Sequence, residues 1–252
     1  MMLFNTIKDL ASIREKDWLF EPKKDGLRAY LSYIKGKAKL LNRDMKDITA
    51  NYPEIAKLWL GRYDFVVDGE LCCSDFESLM SRQHTTDIFK INMLSKRQPC
   101  TFYAFDIVAF NRNVVVQMGL TSRKTILAQL GNLGKKGFEV LPYYEKLAEA
   151  LEKCSNEEGI ILKKRDSMYY ANERTDDWLK FKKHVEKLCR FYKYEINKDF
   201  SITLTDDFHR VKCNDLAAKT KIDTYRYVDC EVTGLEFTEK GHIRMPVIKR
   251  VL

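Results

Sequence analysis

Phe20-Glu21-Pro22-Lys23-Lys24-Asp25-Gly26-Leu27-Arg28 is the stretch on which the reading of this chain turns. A strand runs into a lysine, an Asp-Gly turn follows, and an arginine opens the next strand. The arrangement presents one amine at the mouth of a sheet with other cations beside it. A lysine becomes a nucleophile only after losing its proton, and neighbouring positive charge with partial desolvation lowers its pKa. Side chains alternate along a strand, so Lys24 points away from Lys23 and need not share a face with Arg28. Taken alone, the same nine residues also describe a surface hairpin with solvated lysines.

Outward from this stretch, short strand-like runs dominate: Trp18 to Lys23, Leu27 to Ile34, Lys39 to Asn42, Phe65 to Leu71, Thr101 to Ala109, Gly159 to Lys164 and Trp178 to Lys183. Lys35-Gly36-Lys37 reads as a hairpin turn. Helical patterns fall at Pro53 to Leu60, Ser122 to Leu130 and Tyr144 to Lys153. This is not a regular βαβ alternation, so the class is α+β with largely antiparallel sheets. After about His184 the texture changes. Arg190 to Ile196, Phe200 to Leu204, Arg210 to Cys213, Tyr225 to Leu235 and His242 to Val251 read as five strands with no long helix required. That is the size of a small Greek-key barrel of the oligonucleotide-binding (OB) type. Two domains are expected, 1–184 and 185–252, with Asp206 to Asp223 as a long connection or a short helix.

The 252 residues are 45% hydrophobic, enough for a sizeable core. Forty-four Lys and Arg against 36 Asp and Glu give a net charge of +8, which favours a polyanionic partner. No apolar run is long enough to span a membrane, and the N-terminus lacks signal-peptide features. The seven cysteines form no Cys-x-x-Cys pair, which predicts free thiols in a reducing, intracellular compartment, without disulfides or a zinc site. His84, His184, His209 and His242 are scattered without metal-ligand spacing.

Lys23-Lys24-Asp25-Gly26-Leu27-Arg28 resembles the Lys-x-Asp-Gly-x-Arg motif of covalent nucleotidyltransferases: ATP-dependent DNA ligases, RNA ligases and mRNA capping enzymes. Other family motifs follow in order. Leu41-Asn42-Arg43-Asp44 resembles the Ser-Arg-Asn element, with Asn and Asp replacing the outer residues. Val67-Asp68-Gly69-Glu70-Leu71 is similar to the Asp-Gly-Glu element, and Phe102-Tyr103-Ala104-Phe105-Asp106 to the aromatic strand. Glu158-Gly159-Ile160-Ile161-Leu162-Lys163 resembles the Glu-Gly element, and Trp178-Leu179-Lys180-Phe181-Lys182 the Trp-Leu-Lys-x-Lys element. Asp17 to Glu21, Gly119 to Arg123 and Asp166 to Tyr169 resemble the ligase domains of bacterial end-joining enzymes.

The resemblance implies a compact ATP-dependent DNA ligase with an adenylation domain followed by an OB-fold. Lys23 would attack ATP to give a lysyl-AMP, and AMP would pass to the 5′-phosphate of a nick in duplex DNA before the 3′-hydroxyl displaces it. Glu21, Arg28, Arg43, Glu70, Phe105, Lys180 and Lys182 would bind the nucleotide, with Phe105 stacking on adenine. Lys180 and Lys182, which share one strand face with Trp178, would clamp the α-phosphate while Leu179 and Phe181 enter the core. Glu70 and Glu158 would hold Mg²⁺, with Mn²⁺ as a substitute. Arg28 and Arg43 would also reach the DNA phosphate. A monomer is expected, with no membrane association. The chain ends where an Arg-x-Asp-Lys element would begin, so either self-adenylylation is weak, or other cations such as Lys249 and Arg250 substitute, or the sequence is truncated. With 22 residues before Lys23 and no helical DNA-binding domain there, Lys212, Lys219 and Lys221 are candidate clasp residues. An RNA ligase, a GTP-using capping enzyme and a nucleic-acid-binding relic are the alternatives.

Overall fold

The computed structural model describes all residues except 75, 132–135, 183–184, 235–236, 238–240 and 244–245. The expectations that touch Lys183, His184, Leu235, Arg244 and Met245 therefore lie outside the described residues. The chain divides into two compact units, Met1–Phe181 and Lys182–Leu252.

The first unit contains β1 (Leu3–Thr6), β2 (Trp18–Pro22), β3 (Leu27–Ile34), β4 (Lys37–Asn42), α1 (Pro53–Ala56), β5 (Phe65–Cys72), α2 (Phe76–Gln83), α3 (Ile88–Arg97), β6 (Thr101–Phe110), β7 (Asn113–Val114), α4 (Leu120–Gly131), β8 (Phe138–Val140), α5 (Leu147–Lys153), β9 (Gly159–Lys164) and β10 (Arg174–Lys182). Four strands form a sheet in the order β1-β10-β9-β2, and β4-β3-β5-β6-β7 with β8 form a six-stranded sheet. Most neighbours are antiparallel, but β1 runs parallel to β10 and β8 parallel to β6. Lys35 and Gly36 both adopt positive φ, which gives the β3–β4 hairpin the turn that its Lys-Gly-Lys sequence predicts.

Alternation assigns the faces of the larger sheet. Ala29, Leu31, Val67, Phe102 and Ala104 pack with Leu127 and Leu130 of α4 in one core. Tyr30 and Phe105 face the other way and meet Trp178 of β10 in a second core, which joins the two sheets. Each such aromatic or aliphatic side chain contributes about 1.5–3 kcal/mol by burial. Behind the smaller sheet, Trp18, Phe20, Ile160 and Leu162 pack on α5.

Two features depart from the sequence reading. The segment between β5 and β6, left unassigned there, forms α2 and α3. Asp87 caps α3 by accepting hydrogen bonds from the backbone N–H of Phe89 (2.9 Å) and Lys90 (3.2 Å). Arg82, fully buried, ties α2 to Glu54 through two hydrogen bonds of 2.6 and 2.8 Å. Cys73 and Cys100 are joined in a disulfide, contrary to the expectation of free thiols throughout. The register explains the pairing, because Cys72 opposes Thr101 and the next pair outward is Cys73 and Cys100. The thiol argument for a reducing compartment falls with it. Trp178, in the parity of Lys180 and Lys182, is fully buried in the aromatic core between the sheets.

The second unit contains β11 (Val185–Phe191), β12 (Lys193–Ile196), β13 (Ile202–Thr205), β14 (Arg210–Cys213), α6 (Ala217–Tyr225), β15 (Val228–Gly234) and β16 (Val247–Val251). Two three-stranded antiparallel sheets, β11-β15-β16 and β12-β13-β14, enclose a core of Phe191, Ile202, Leu204, Val211, Val228 and Val232 with Ile222 of α6. The segment from Asp206 to Asp223 thus supplies both a strand and most of a helix. Cys189, Asp206 and His209 lie with their ligand atoms within 4.8 Å of one another. Both His209 nitrogens are engaged: Nδ1 faces Asp206 at 2.9 Å and Nε2 accepts from the Ile243 N–H at 3.1 Å. The trio therefore works as a latch on the β13–β14 turn. No described helix is long and apolar enough to cross a membrane.

Candidate active site

The β2–β9 register builds the centre of the site. Pro22 opposes Ile160, and the Lys23 N–H donates to the Gly159 carbonyl at 3.0 Å, which brings Lys23 beside the residue preceding Gly159. The Lys23 ammonium accordingly donates to Glu158 Oε2, and Lys24 pairs with Glu157. Counter-charges, not further cations, are the immediate neighbours of Lys23. The sequence expectation failed here because it treated the loop without the strand that pairs with it. Gly26 has a steric reason: a Cβ there would sit 2.5 Å from the Leu71 carbonyl oxygen and 2.9 Å from Glu70 Cγ. The loop that follows Lys23 is thereby pressed against the strand that carries Glu70.

Arg28 and Glu70 are cross-strand partners in β3 and β5, and Tyr30 opposes Asp68. Asp68 and Glu70 therefore share the inward face, as strand parity predicts. Arg28 donates to Asp68 through Nε (3.1 Å) and Nη2 (2.6 Å), and its guanidinium lies 4.9 Å from the Phe4 ring and 5.3 Å from the Phe105 ring. Burial opposes the charge, but the Asp68 carboxylate prevails and holds the Arg28 pKa above its usual value. Tyr169 donates to Asp68 Oδ2 at 2.6 Å, and its hydroxyl lies 2.8 Å from that of Tyr30. Burial pushes the Glu70 carboxyl up to about 8, in spite of Arg28 and Lys23 and with Asp68 and Glu158 adding to the shift. Glu70 and Glu158, hard oxygen donors with incomplete charge compensation, suit a divalent cation.

A second cluster lies under Phe105. Glu21, on β2, is ion-paired with Lys163 of β9 (2.9 Å) and Lys124 of α4 (2.6 Å), and all three side chains are almost wholly buried. Both ammonium groups also donate to the Phe105 carbonyl, at 2.8 Å from Lys124 and 3.3 Å from Lys163. Lys163 lies 4.3 Å from the Phe105 ring and 4.1 Å from the Trp178 ring. Burial lowers its pKa to about 8, with Glu21 opposing and Lys124 assisting the shift. Trp178 Nε1 is a buried donor that makes no hydrogen bond, and Glu21 Oε1 faces the Lys124 ammonium. A donor and a carboxylate oxygen beside one aromatic ring form a polar edge for a planar ligand.

The remaining expected residues are more dispersed. Phe105 is buried at the junction of both clusters, and Tyr103 on the same face lies beneath Lys24, 4.8 Å from its ammonium. Lys180 and Lys182 are half-buried on β10, in the parity of Trp178, while Leu179 and Phe181 pack at the edge of the core behind the sheet. Arg43 stays exposed on the turn after β4. Asn42 shapes that turn, its side chain accepting from the Asp44 and Lys46 N–H groups at 3.0 and 2.9 Å. The clasp lysines are engaged within their own unit: Lys212 with Asp199, Lys219 with Asp223 and Lys221 with the Leu252 carbonyl. Lys163, Lys124 and Tyr169 were missed as site residues. Parity offered a signal for Lys163, since Glu21 opposes Ile161 and Lys163 shares that face.

Behind the site, Arg123 at the start of α4 grips Asp106 through hydrogen bonds of 2.8 and 2.9 Å, and both side chains are fully buried. It also donates to the Ser167 carbonyl at 2.8 Å, which anchors the loop carrying Tyr169.

Comparison with known proteins agrees with this geometry. The chain is 26% identical over 283 residues to the SPbeta prophage-derived DNA ligase-like protein LigB of Bacillus subtilis, covering 97% of this chain and 96% of that protein. It is 27% identical over 192 residues to the bifunctional non-homologous end joining protein LigD of the same organism, covering 66% of this chain but 31% of LigD. The Mycobacterium tuberculosis LigD matches at 28% over 182 residues, 69% of this chain and 22% of that protein. The chain thus spans a third or less of the LigD proteins. Among solved structures, a Lig E DNA ligase superposes with a TM-score of 0.69 at 19% identity, covering 100% of this chain and 99% of that one. A mycobacterial DNA ligase D complexed with ATP gives 0.64 at 20%, covering 100% and 94%. These two likenesses establish the fold. The model of the ATP dependent DNA ligase domain matches residues 1–182, and the chain belongs to that family.

Proposed function

We propose that this protein seals 5′-phosphate/3′-hydroxyl nicks in duplex DNA through a lysyl-AMP intermediate. Residues 1–184 act as the adenylation domain and 185–252 as an OB-fold barrel, on the support of four antiparallel strand pairings around one small core. The observation that carries the reading is the convergence of the Arg28–Asp68 pair and the Glu21–Lys163 pair on Phe105, with Lys23 two residues beyond Glu21 and held at Glu158.

Lys23 Nζ is held at Glu158 Oε2, the nearest acceptor for the proton it must lose before attack. The new bond joins Nζ to the α-phosphorus of ATP, and pyrophosphate leaves with the electron pair. Phe105 stacks the base. Adenine offers an amino donor beside a ring acceptor, whereas guanine presents the reverse polarity. Glu21 Oε1 as acceptor and Lys163 as donor match adenine, which favours ATP over GTP. Arg28, Arg43, Lys180 and Lys182 bind ribose and phosphate oxygens, and Arg28 and Arg43 also receive the nick 5′-phosphate. Glu70 and Glu158 would hold Mg²⁺, which when bound supplies positive charge to the phosphates. The protein works as a monomer inside the cell, where its DNA and ATP are.

The test is incubation with radiolabelled ATP or GTP and Mg²⁺, followed by chase with nicked DNA or nicked RNA. A protein-bound label from ATP that is stable to alkali, absent in Lys23→Ala and released on nicked DNA with sealing, is expected. No label, or discharge on RNA alone, overturns the proposal.

A further inference from the structure

We propose that Lys124, on α4, is a positioning residue that shares the charge of Glu21 with Lys163, so that Lys163 keeps positive charge and a donor with which to read the base. The inference rests on the adenylation reading above and extends it to a residue outside every motif of the nucleotide site.

The argument is one of charge division. Glu21 is a buried carboxylate between two buried ammonium groups, Lys124 at 2.6 Å from Oε1 and Lys163 at 2.9 Å from Oε2. A lone buried carboxylate beside a single lysine closes into a pair, and the lysine's donors are then spent on it. With Lys124 sharing the charge of Glu21, Lys163 keeps positive charge beyond the ion pair. Its ammonium lies between the Phe105 and Trp178 rings, where a stacked base would present its edge. Lys124 also donates to the Phe105 carbonyl at 2.8 Å, so one ammonium fixes both the acceptor that reads the base and the strand that stacks it. Its own position is secured from the preceding residue, since Arg123 is locked to Asp106.

The charged groups facing Lys163 are Glu21 from β2, Lys124 from α4, and Asp106 from β6, which is itself paired with Arg123. Repulsion from Lys124 helps hold Lys163 at about 8, so deleting that charge must move the titration of Lys163 upward. A residue with a merely structural role would not produce this shift.

The experiment measures single-turnover lysyl-AMP formation against ATP concentration from pH 7 to 10 in wild type, Lys124→Met and Lys124→Arg. Lys124→Met should raise the half-saturating ATP concentration about 10-fold or more, the worth of one charge-assisted contact, with little change in the rate at saturation. It should also move the alkaline limb of ATP binding to higher pH, and Lys124→Arg should restore both. Unchanged half-saturation in Lys124→Met, or an unmoved alkaline limb, overturns the proposal. If Lys124→Met is unfolded by circular dichroism, Lys124→Arg decides: a limb that persists supports titration of Lys163, and a limb that vanishes shows Lys124 itself titrating and overturns it. Absence of label in wild type would instead refute the adenylation reading, so the two failures are distinct.

Discussion

The two units differ in where charge is buried. The first has exposed pairs such as Lys39 with Asp47, but it also buries pairs at the candidate site: Arg28 with Asp68, Glu21 with two lysines, Arg123 with Asp106. In the second, Arg190 with Asp229, Arg210 with Glu195, Lys212 with Asp199 and Lys249 with Glu186 decorate the outside of the sheets. Water screens the exposed pairs, so they set solubility and surface field more than stability. The buried pairs hold charges that could not stand alone in that environment, and a missing partner strands the other. Similar residue types therefore carry different consequences in the two halves.

The largest effect that sharpens this contrast is chemical. Lys23→Ala should lower lysyl-AMP formation on the order of 10⁴-fold or more, measured as alkali-stable protein-bound label, since nothing replaces a covalent nucleophile. Next, Arg123→Ala should destabilise the first unit by about 3–5 kcal/mol in urea unfolding, because it leaves Asp106 charged and buried. Arg28→Lys should slow sealing about 10- to 100-fold while the protein remains folded, as a lysine cannot reproduce the two-pronged grip on Asp68 or the stacking.

A smaller effect is pH-linked, and its sign separates two groups. Glu70 titrates near 8 in the fold against an ordinary value of 4.5, so its contribution to stability is complete below about 4.5 and is lost as pH rises through about 8. Lys163 titrates near 8 against 10.5, so its contribution is complete above about 10.5 and is lost as pH falls through about 8. Urea midpoints for Glu70→Gln should lose the first dependence and keep the second. The smallest effect belongs to the other unit. Arg210→Ala should change stability by about 0.2–1 kcal/mol, and less in high salt. A loss as large as that of Arg123→Ala would break the comparison.

Much of the first unit could be read from sequence because its strands announce themselves. Leu27–Ile34 and Gly159–Lys164 have the boundaries that their apolar runs predict, and the same-face carboxylates Asp68 and Glu70 follow from parity alone. What escaped reading depends on pairing between distant strands. The partner of Lys23 is fixed by a register with β9 more than 130 residues away, and the Cys73–Cys100 link by a register with β6. Helices α2 and α3 escaped because a cap and a buried arginine hold them, with Ile88 and Phe89 left exposed. Lys124 was invisible because a lysine on a helix reads as solvated until its neighbour across the core is known to be Glu21.

The Glu21 cluster has an evolutionary corollary. A lineage moving from adenine to guanine would have to invert an acceptor and a donor together. Replacing Glu21 alone leaves two buried ammonium groups facing each other, and replacing Lys163 alone leaves the base edge half-matched. Each single step passes through a variant that is less stable or less able to bind either purine. Base choice in this scaffold is therefore guarded by a valley between two sequences, and the depth of that valley is set by a helix that need never touch the nucleotide.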